Sequence, residues 1–467
     1  MIRRIECTAL LVLTLAAVAP PARAQTALFI ESESILAGRR WAPSFSHEAD
    51  AAQCRLNADL SDYCKRLLVP FYEYLTVRAD NLGVPGLSIE FAGWGVADFA
   101  DRFDPTHAAR VPRYNDTYAW AHGGVGGDIM VGTIAYRGLG DKLELRLGRQ
   151  FLFTGAPYAT NLDGAYIRYR LPWSFDVAVY GGGSTPRDAE AGRDAYNGLY
   201  GGRVGWSQLD RGSLGVSVLN EVDGDGDVVR RQLGVDGSVL LPKHVDVAGA
   251  ALWDLVEKNI DEVMLTASWM PLPRLKLAAD YTYMVPSAMI PKTSIFSIFS
   301  DATYQDAGLD VYYRLMPKLR VSGLFRARFF SEGNNGWLWG VGGKYLIGDR
   351  LREVVGLDFM RLASKDTDLR DNGYYQVRGY GAVAPLPRFL LTADLFYFHF
   401  DNTVYNGNTV RNAGSVNASA SYRITDRMDA LVSLIANFNP ASKEEVILLG
   451  RFVWHTWLEP GARRVSQ

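Results

Sequence analysis

Along most of this chain apolar and polar residues alternate in runs of about ten, and short polar turns join the runs in pairs. In Leu275-Lys-Leu-Ala-Ala-Asp-Tyr-Thr-Tyr283 the odd positions are apolar or aromatic, while Lys276, Asp280 and Thr282 take the other face. Between Leu319 and Phe329, Leu319, Val321, Phe325 and Phe329 point one way; Arg320, Ser322, Arg326 and Arg328 point the other. A period of two predicts strands with one apolar and one polar face.

The turns stand out as Leu139-Gly-Asp-Lys142, Leu171-Pro-Trp173, Leu209-Asp-Arg-Gly212, Leu241-Pro-Lys243 and Pro271-Leu-Pro-Arg274. Met316-Pro-Lys318, Ile347-Gly-Asp-Arg350, Pro385-Leu-Pro-Arg388 and Ile424-Thr-Asp-Arg427 continue the series. Longer polar connections separate the hairpins. Short turns at one end and long loops at the other are the pattern of an outer-membrane β-barrel. A soluble β-sandwich would need a second sheet over each apolar face, and it rarely runs through so many evenly spaced hairpins.

The expected fold is therefore all-β: a transmembrane antiparallel barrel over residues 71–458, of about 18–20 strands, with both termini in the periplasm. The wall strands run from Leu87–Phe99 to Val446–Trp457, and Tyr74–Ala79 reads as a lone strand beside the first of them. Slipping the register by one residue would turn arginines toward lipid, at about 2–4 kcal/mol each near the midplane. Trp173, Tyr281, Tyr283, Trp337, Trp339, Trp454 and Trp457 fall near strand ends, where interfacial girdles form.

Composition agrees with a barrel wall. Hydrophobic residues make up 48% and aromatics 12% of the chain, spread in alternation rather than gathered in blocks. Residues 1–24 read as a secretory signal, with Arg3 and Arg4, a short apolar stretch, and Ala22-Arg-Ala24 before Gln25. Net charge is −2, and −4 once the signal's three arginines and one glutamate are removed, too mild to point to nucleic acid. Residues 25–70 read as a periplasmic extension or small plug, and 459–467 as a periplasmic tail. Cys54 and Cys64, the two cysteines after the signal, are expected to form a disulfide in an oxidising periplasm. No metal and no cofactor are expected.

Two stretches resemble known barrels. Leu145-Arg-Leu-Gly-Arg-Gln-Phe-Leu followed by Leu162-Asp-Gly-Ala resembles a hairpin of large bacterial porins, including the alginate-export family. Tyr72-Glu-Tyr-Leu-Thr-Val-Arg-Ala-Asp and Gly86-Leu-Ser-Ile-Glu-Phe-Ala-Gly-Trp-Gly resemble the opening of δ-proteobacterial porin-like barrels. The resemblance covers under a fifth of the chain. It implies an outer-membrane barrel of about 18 strands that moves solutes or polysaccharide through an arginine-lined pore.

The alternation places Arg146, Arg168, Arg170, Lys276, Arg314, Arg320, Arg326, Arg328, Lys344, Arg378 and Arg451 on the lumen face. Glu144, Asp176, Asp236, Asp280, Asp310, Asp358 and Asp394 share it, so the balance is basic, eleven against seven. Basic rings in a low-dielectric pore attract anions, and the guanidinium fork suits carboxylates and phosphates. Equally, these charges can pair across neighbouring strands and only keep the lumen wet and rigid.

Other features have bland readings beside their chemical ones. Asp223-Gly-Asp-Gly-Asp227 has calcium-ligand character, but Gly234 stands where a bidentate glutamate would be wanted, which favours a turn. The apolar loop Pro286–Thr303 is either a constriction folded into the pore, a contact with a neighbouring subunit, or packing on the rim. His122-Gly-Gly-Val-Gly-Gly lacks the strand-to-helix setting of a nucleotide loop. His399 with Asp401, and His455 beside Thr456, are the candidates for a barrel-embedded enzyme, and neither lies in a recognisable signature. The expectation is a channel and not an enzyme. Its partners would be outer-membrane lipid, small anionic solutes or an acidic polysaccharide, periplasmic export proteins, and a homotrimer of its own copies. A nonselective porin, or a sheath around a partner such as a cytochrome, is the alternative.

Overall fold

The computed structural model describes residues 26–43, 66–98, 125–157, 160–185, 197–285, 303–331, 335–348, 353–364, 373–401, 411–438 and 442–458. They form a closed antiparallel barrel of 22 strands. Each strand from Pro70–Asp80 onward pairs with the next in sequence, as far as Ser442–Leu458. Ala27–Pro43 then pairs with both Ser442–Leu458 and Pro70–Asp80, which closes the wall. Arg66–Leu68 pairs with the same strand just above Pro70–Asp80.

Two strands exceed the sequence expectation. Pro70–Asp80 is a full member of the wall and not a lone strand. Ala27–Pro43 lies within the segment expected to be a periplasmic extension or plug, and instead it supplies the closing strand of the wall. Its polarity explains the misreading. Ser32 and Ser34 point outward, where apolar residues are usual, and their hydroxyls donate to the two Glu73 carboxylate oxygens at 2.5 Å each. With Glu31 and Glu33 on the inner face, both faces of the strand read as polar. Cys54, Cys64, residues 1–24 and the tail 459–467 lie outside the described residues.

The short turns are tight because their backbones enter the left-handed region. Trp173 and Ser174 have φ of 59° and 66°, and Lys243 and His244 have 66° and 60°. Paired positive φ values match the right-handed twist of the strands that two-residue hairpins join. These turns mark the periplasmic end of the barrel, and both terminal strands have their outer ends there.

Outward-facing side chains form an apolar band. Leu147, Val341, Leu357, Val432 and Leu448 are all more than half exposed on the protein alone, which suits contact with lipid rather than water. Toward the long-connection end, Phe325 meets Trp337 at 5.7 Å between ring centroids, and Phe359 lies between Trp339 and Tyr375 at 5.5 and 6.1 Å. The Trp337 ring also meets Phe329 edge-on. Leu357→Arg, near the middle of its strand, is expected to lower the unfolding free energy by about 2–4 kcal/mol. Denaturant titration of the barrel refolded in liposomes measures this.

Candidate functional site: the lumen

The inner face is the one opposite the exposed apolar band, and charged side chains meet on it across whole strands. Arg203 reaches over the Gly212–Val222 strand to grip Asp236, with one Nη2–Oδ2 contact of 2.6 Å. Arg326 reaches past the Tyr304–Arg314 strand to Asp280 at 2.6 Å, and also meets Asp306 and Asp310 at 3.3 Å each. All eleven basic residues named from the sequence lie on this face, as the strand registers place them.

They divide into two groups. Arg146 and Arg168 meet Glu144 at 2.6 and 3.9 Å, and Arg168 also meets Asp176 at 3.3 Å. Arg328 holds Asp306 at 2.8 Å, Arg378 holds Asp394 with an Nε–Oδ1 contact of 2.9 Å, and Arg451 holds Glu33 at 2.6 Å. These charges are compensated, so they stiffen the wall more than they set its potential.

Arg170, Lys276, Arg314, Arg320 and Lys344 have no carboxylate within ion-pair distance among the described residues, and all five are exposed. They sit toward the short-turn end of their strands. Arg314 lies directly opposite Arg320, and Arg320 directly opposite Lys344. Lys276 lies opposite Tyr312, two residues from Arg314. Four cations thus form a row across four adjacent strands at the periplasmic mouth. Like charges opposite one another in a sheet repel, so the row carries a standing cost that structure alone does not call for.

The lumen is also narrowed from within. After Leu152 the chain leaves the wall and turns inward. Gly155 (φ 91°) packs on the Arg203–Asp236 pair, and a Cβ there would collide with both groups. Ala156 and Pro157 approach Gly234 so closely that a Cβ on that glycine would meet Pro157 Cδ at 2.7 Å. Behind this tongue, Leu152, Leu162, Tyr180, Leu199 and Leu219 form a small apolar core on the inner wall. The Thr154 hydroxyl lies 3.4 Å from Tyr180 Oη, which donates to the Val218 carbonyl at 3.2 Å. The loop Pro286–Thr303, read from sequence as a possible constriction, falls outside the described residues apart from Thr303.

Several functional neighbours were not among the sequence candidates. Arg203 stands beside Gly201 and Gly202, which blank out the alternation there. Asp306 precedes the expected start of its strand, and Glu33 belongs to the misread first strand. The stretch resembling large porins forms a clasp between neighbouring strands. Arg149 makes a two-pronged pair with Asp163 at 2.8 Å per contact and donates to the Ile129 carbonyl at 2.9 Å, while Gln150 donates to the Gly164 carbonyl at 3.2 Å. Glycine is needed at 164 because a Cβ would press into the Gly181–Gly182 backbone opposite.

The remaining candidates resolve into local roles. The Asp223 carboxylate accepts from the backbone N–H groups of Asp225 and Asp227, which closes a turn. Asp401 makes a two-pronged pair with Arg361 at 2.7–2.8 Å, whereas His399 bonds Asn412 at 2.8 Å, so each has a different partner. Thr456 accepts from Arg427 at 3.3 Å, and His122 lies outside the described residues.

A closed, even-numbered barrel with an apolar outer band, outward-facing aromatics and a charged interior is an outer-membrane β-barrel of the Gram-negative type. Among solved structures, the siderophore receptor PirA from Pseudomonas aeruginosa is similar over 91% of this chain and 80% of its own, with a TM-score of 0.53 and 9% identity. OccAB4 of Acinetobacter baumannii (94% of this chain, 100% of that one) has a TM-score of 0.44 and 9% identity. The translocation pore of the P pilus usher PapC (92% and 99%) has 0.45 and 8%. The likeness is one of fold. No family model matches the sequence, and no curated protein matches it significantly.

Proposed function

We propose that this barrel is an outer-membrane channel for small anionic solutes. The observation that carries this reading is the row of Lys276, Arg314, Arg320 and Lys344, exposed at the periplasmic mouth without carboxylate partners among the described residues. Neighbouring strands are about 4.8 Å apart, so the row spreads four charges over a distance comparable to the screening length of about 8–10 Å in physiological salt. Low-dielectric walls concentrate that field in the opening. The tongue at Phe153–Pro157 occupies part of the lumen, which favours a small cargo over an acidic polysaccharide fed in by export partners.

The test is the reversal potential of the purified chain in a planar bilayer under a potassium chloride gradient. The expected sign is that of chloride preference, weakening as salt rises and the screening length falls. A reversal potential of zero, or one of the opposite sign, overturns the reading.

A further inference from the structure

The Phe389–Phe400 strand carries Phe396, Phe398 and Phe400 on the inner face, on the same side as Asp394. Their rings are nearly parallel, at 10–11°, with centroids 6.3–6.4 Å apart. Tyr374, on the adjacent strand, meets Phe398 and Phe400 edge-on at 5.7 and 5.9 Å. The rings run from the long-connection end of the barrel toward its middle. There Arg378 lies 5.1 Å from the Phe396 centroid.

An apolar outer wall is what a barrel requires, but lipid cannot account for apolar rings that face its water-filled side. The three phenylalanines are half-buried on the inner face, where apolar surface brings no benefit to membrane insertion. Phenyl rings offer no hydrogen bonds to the hydroxyls of a sugar. They do offer offset or edge-to-face contact to another flat ring. At the inner end, Arg378 uses Nε and Nη2 on Asp394, and Nη1 has no hydrogen-bond partner among the described residues. One apolar ring track ending at a guanidinium donor suits a solute with a flat ring and an attached anion.

We infer that Phe396, Phe398, Phe400 and Tyr374, with Arg378 at the inner end, form a binding track for aromatic carboxylates entering from the cell exterior. The inference rests on the channel reading for its direction of travel, but the binding itself does not depend on conduction. The ring takes the phenyl track and the carboxylate faces Arg378. A guanidinium against aromatic faces keeps its charge while its hydration is reduced, which strengthens its hold on an anion.

The test is calorimetric titration of the detergent-solubilised full chain with sodium benzoate, with sodium acetate as the anion lacking a ring. Benzoate is expected to bind at least about tenfold more tightly than acetate. Phe398→Leu, which keeps bulk and removes the aromatic face, is expected to abolish that difference, and Phe396→Leu with Phe400→Leu to do the same. Retained heat-dependent gel mobility reports that each variant is a folded barrel. Equal binding of benzoate and acetate, or an undiminished preference in folded Phe398→Leu, overturns the inference. Benzoate binding by a barrel without chloride preference would sink the channel reading and leave the track standing. Chloride preference without benzoate binding would do the reverse.

Discussion

Replacing Lys276, Arg314, Arg320 and Lys344 together by glutamate is expected to reverse the sign of the reversal potential under a salt gradient. The substitution turns four positive charges at one mouth into four negative ones. It touches no ion pair between described residues, since none of the four has a carboxylate partner among them. All four are exposed inner-face positions at strand ends, so the outward apolar band and the strand pairing are preserved. Charged rings of this kind alter local ion concentration by about tenfold or more, and the permeability ratio is expected to move by at least that factor. Arg361→Gln, which alters an outward-facing ion pair, is expected to leave it unchanged. A full-length variant that keeps its chloride preference would place selectivity elsewhere.

Gly155→Val is expected to raise the single-channel conductance. Two physical effects act together at this position. A φ of 91° is open to glycine and strained for a branched side chain, at about 1–3 kcal/mol. The new Cβ would also drive into the Arg203 guanidinium and the Asp236 carboxylate beneath it. The least costly relief is for the tongue to lift off the wall, since Phe153 is already 80% exposed and anchors little. Gly224→Val is the matched control, because a Cβ there meets nothing within 4 Å. An unchanged conductance for Gly155→Val would mean that the tongue does not narrow the path.

Much of this architecture was legible because a two-sided wall writes itself into sequence with a period of two. Arg320, Arg326 and Arg328 could be assigned to one face from the intervening Val321, Phe325 and Phe329 alone. The first strand could not, because Ser32, Ser34 and Glu73 satisfy one another on the outer face and so remove the apolar half of the signal. Pairing was the larger gap. That Arg326 faces three carboxylates while Arg320 faces none among the described residues depends on which strands adjoin and at what height, which alternation does not encode. The tongue was invisible for a related reason: Phe153-Thr-Gly-Ala-Pro is an ordinary loop sequence, and only its contact with a wall some 50–80 residues further along reveals its place.

The closing strand also sets how such a chain must fold. Glu33 and Arg451 meet across the seam at a separation of 418 residues, far beyond the neighbour-to-neighbour contacts that build the rest of the wall. Bringing distant segments together is slow, and its entropic cost falls due before the contact gives anything back. Until that seam zips, the growing sheet has two unpaired edges, each a template for pairing with another chain. The Ala27–Pro43 strand is therefore where assembly is completed, and a change that weakens its pairing should lower the yield of closed barrels before it alters anything that passes through them.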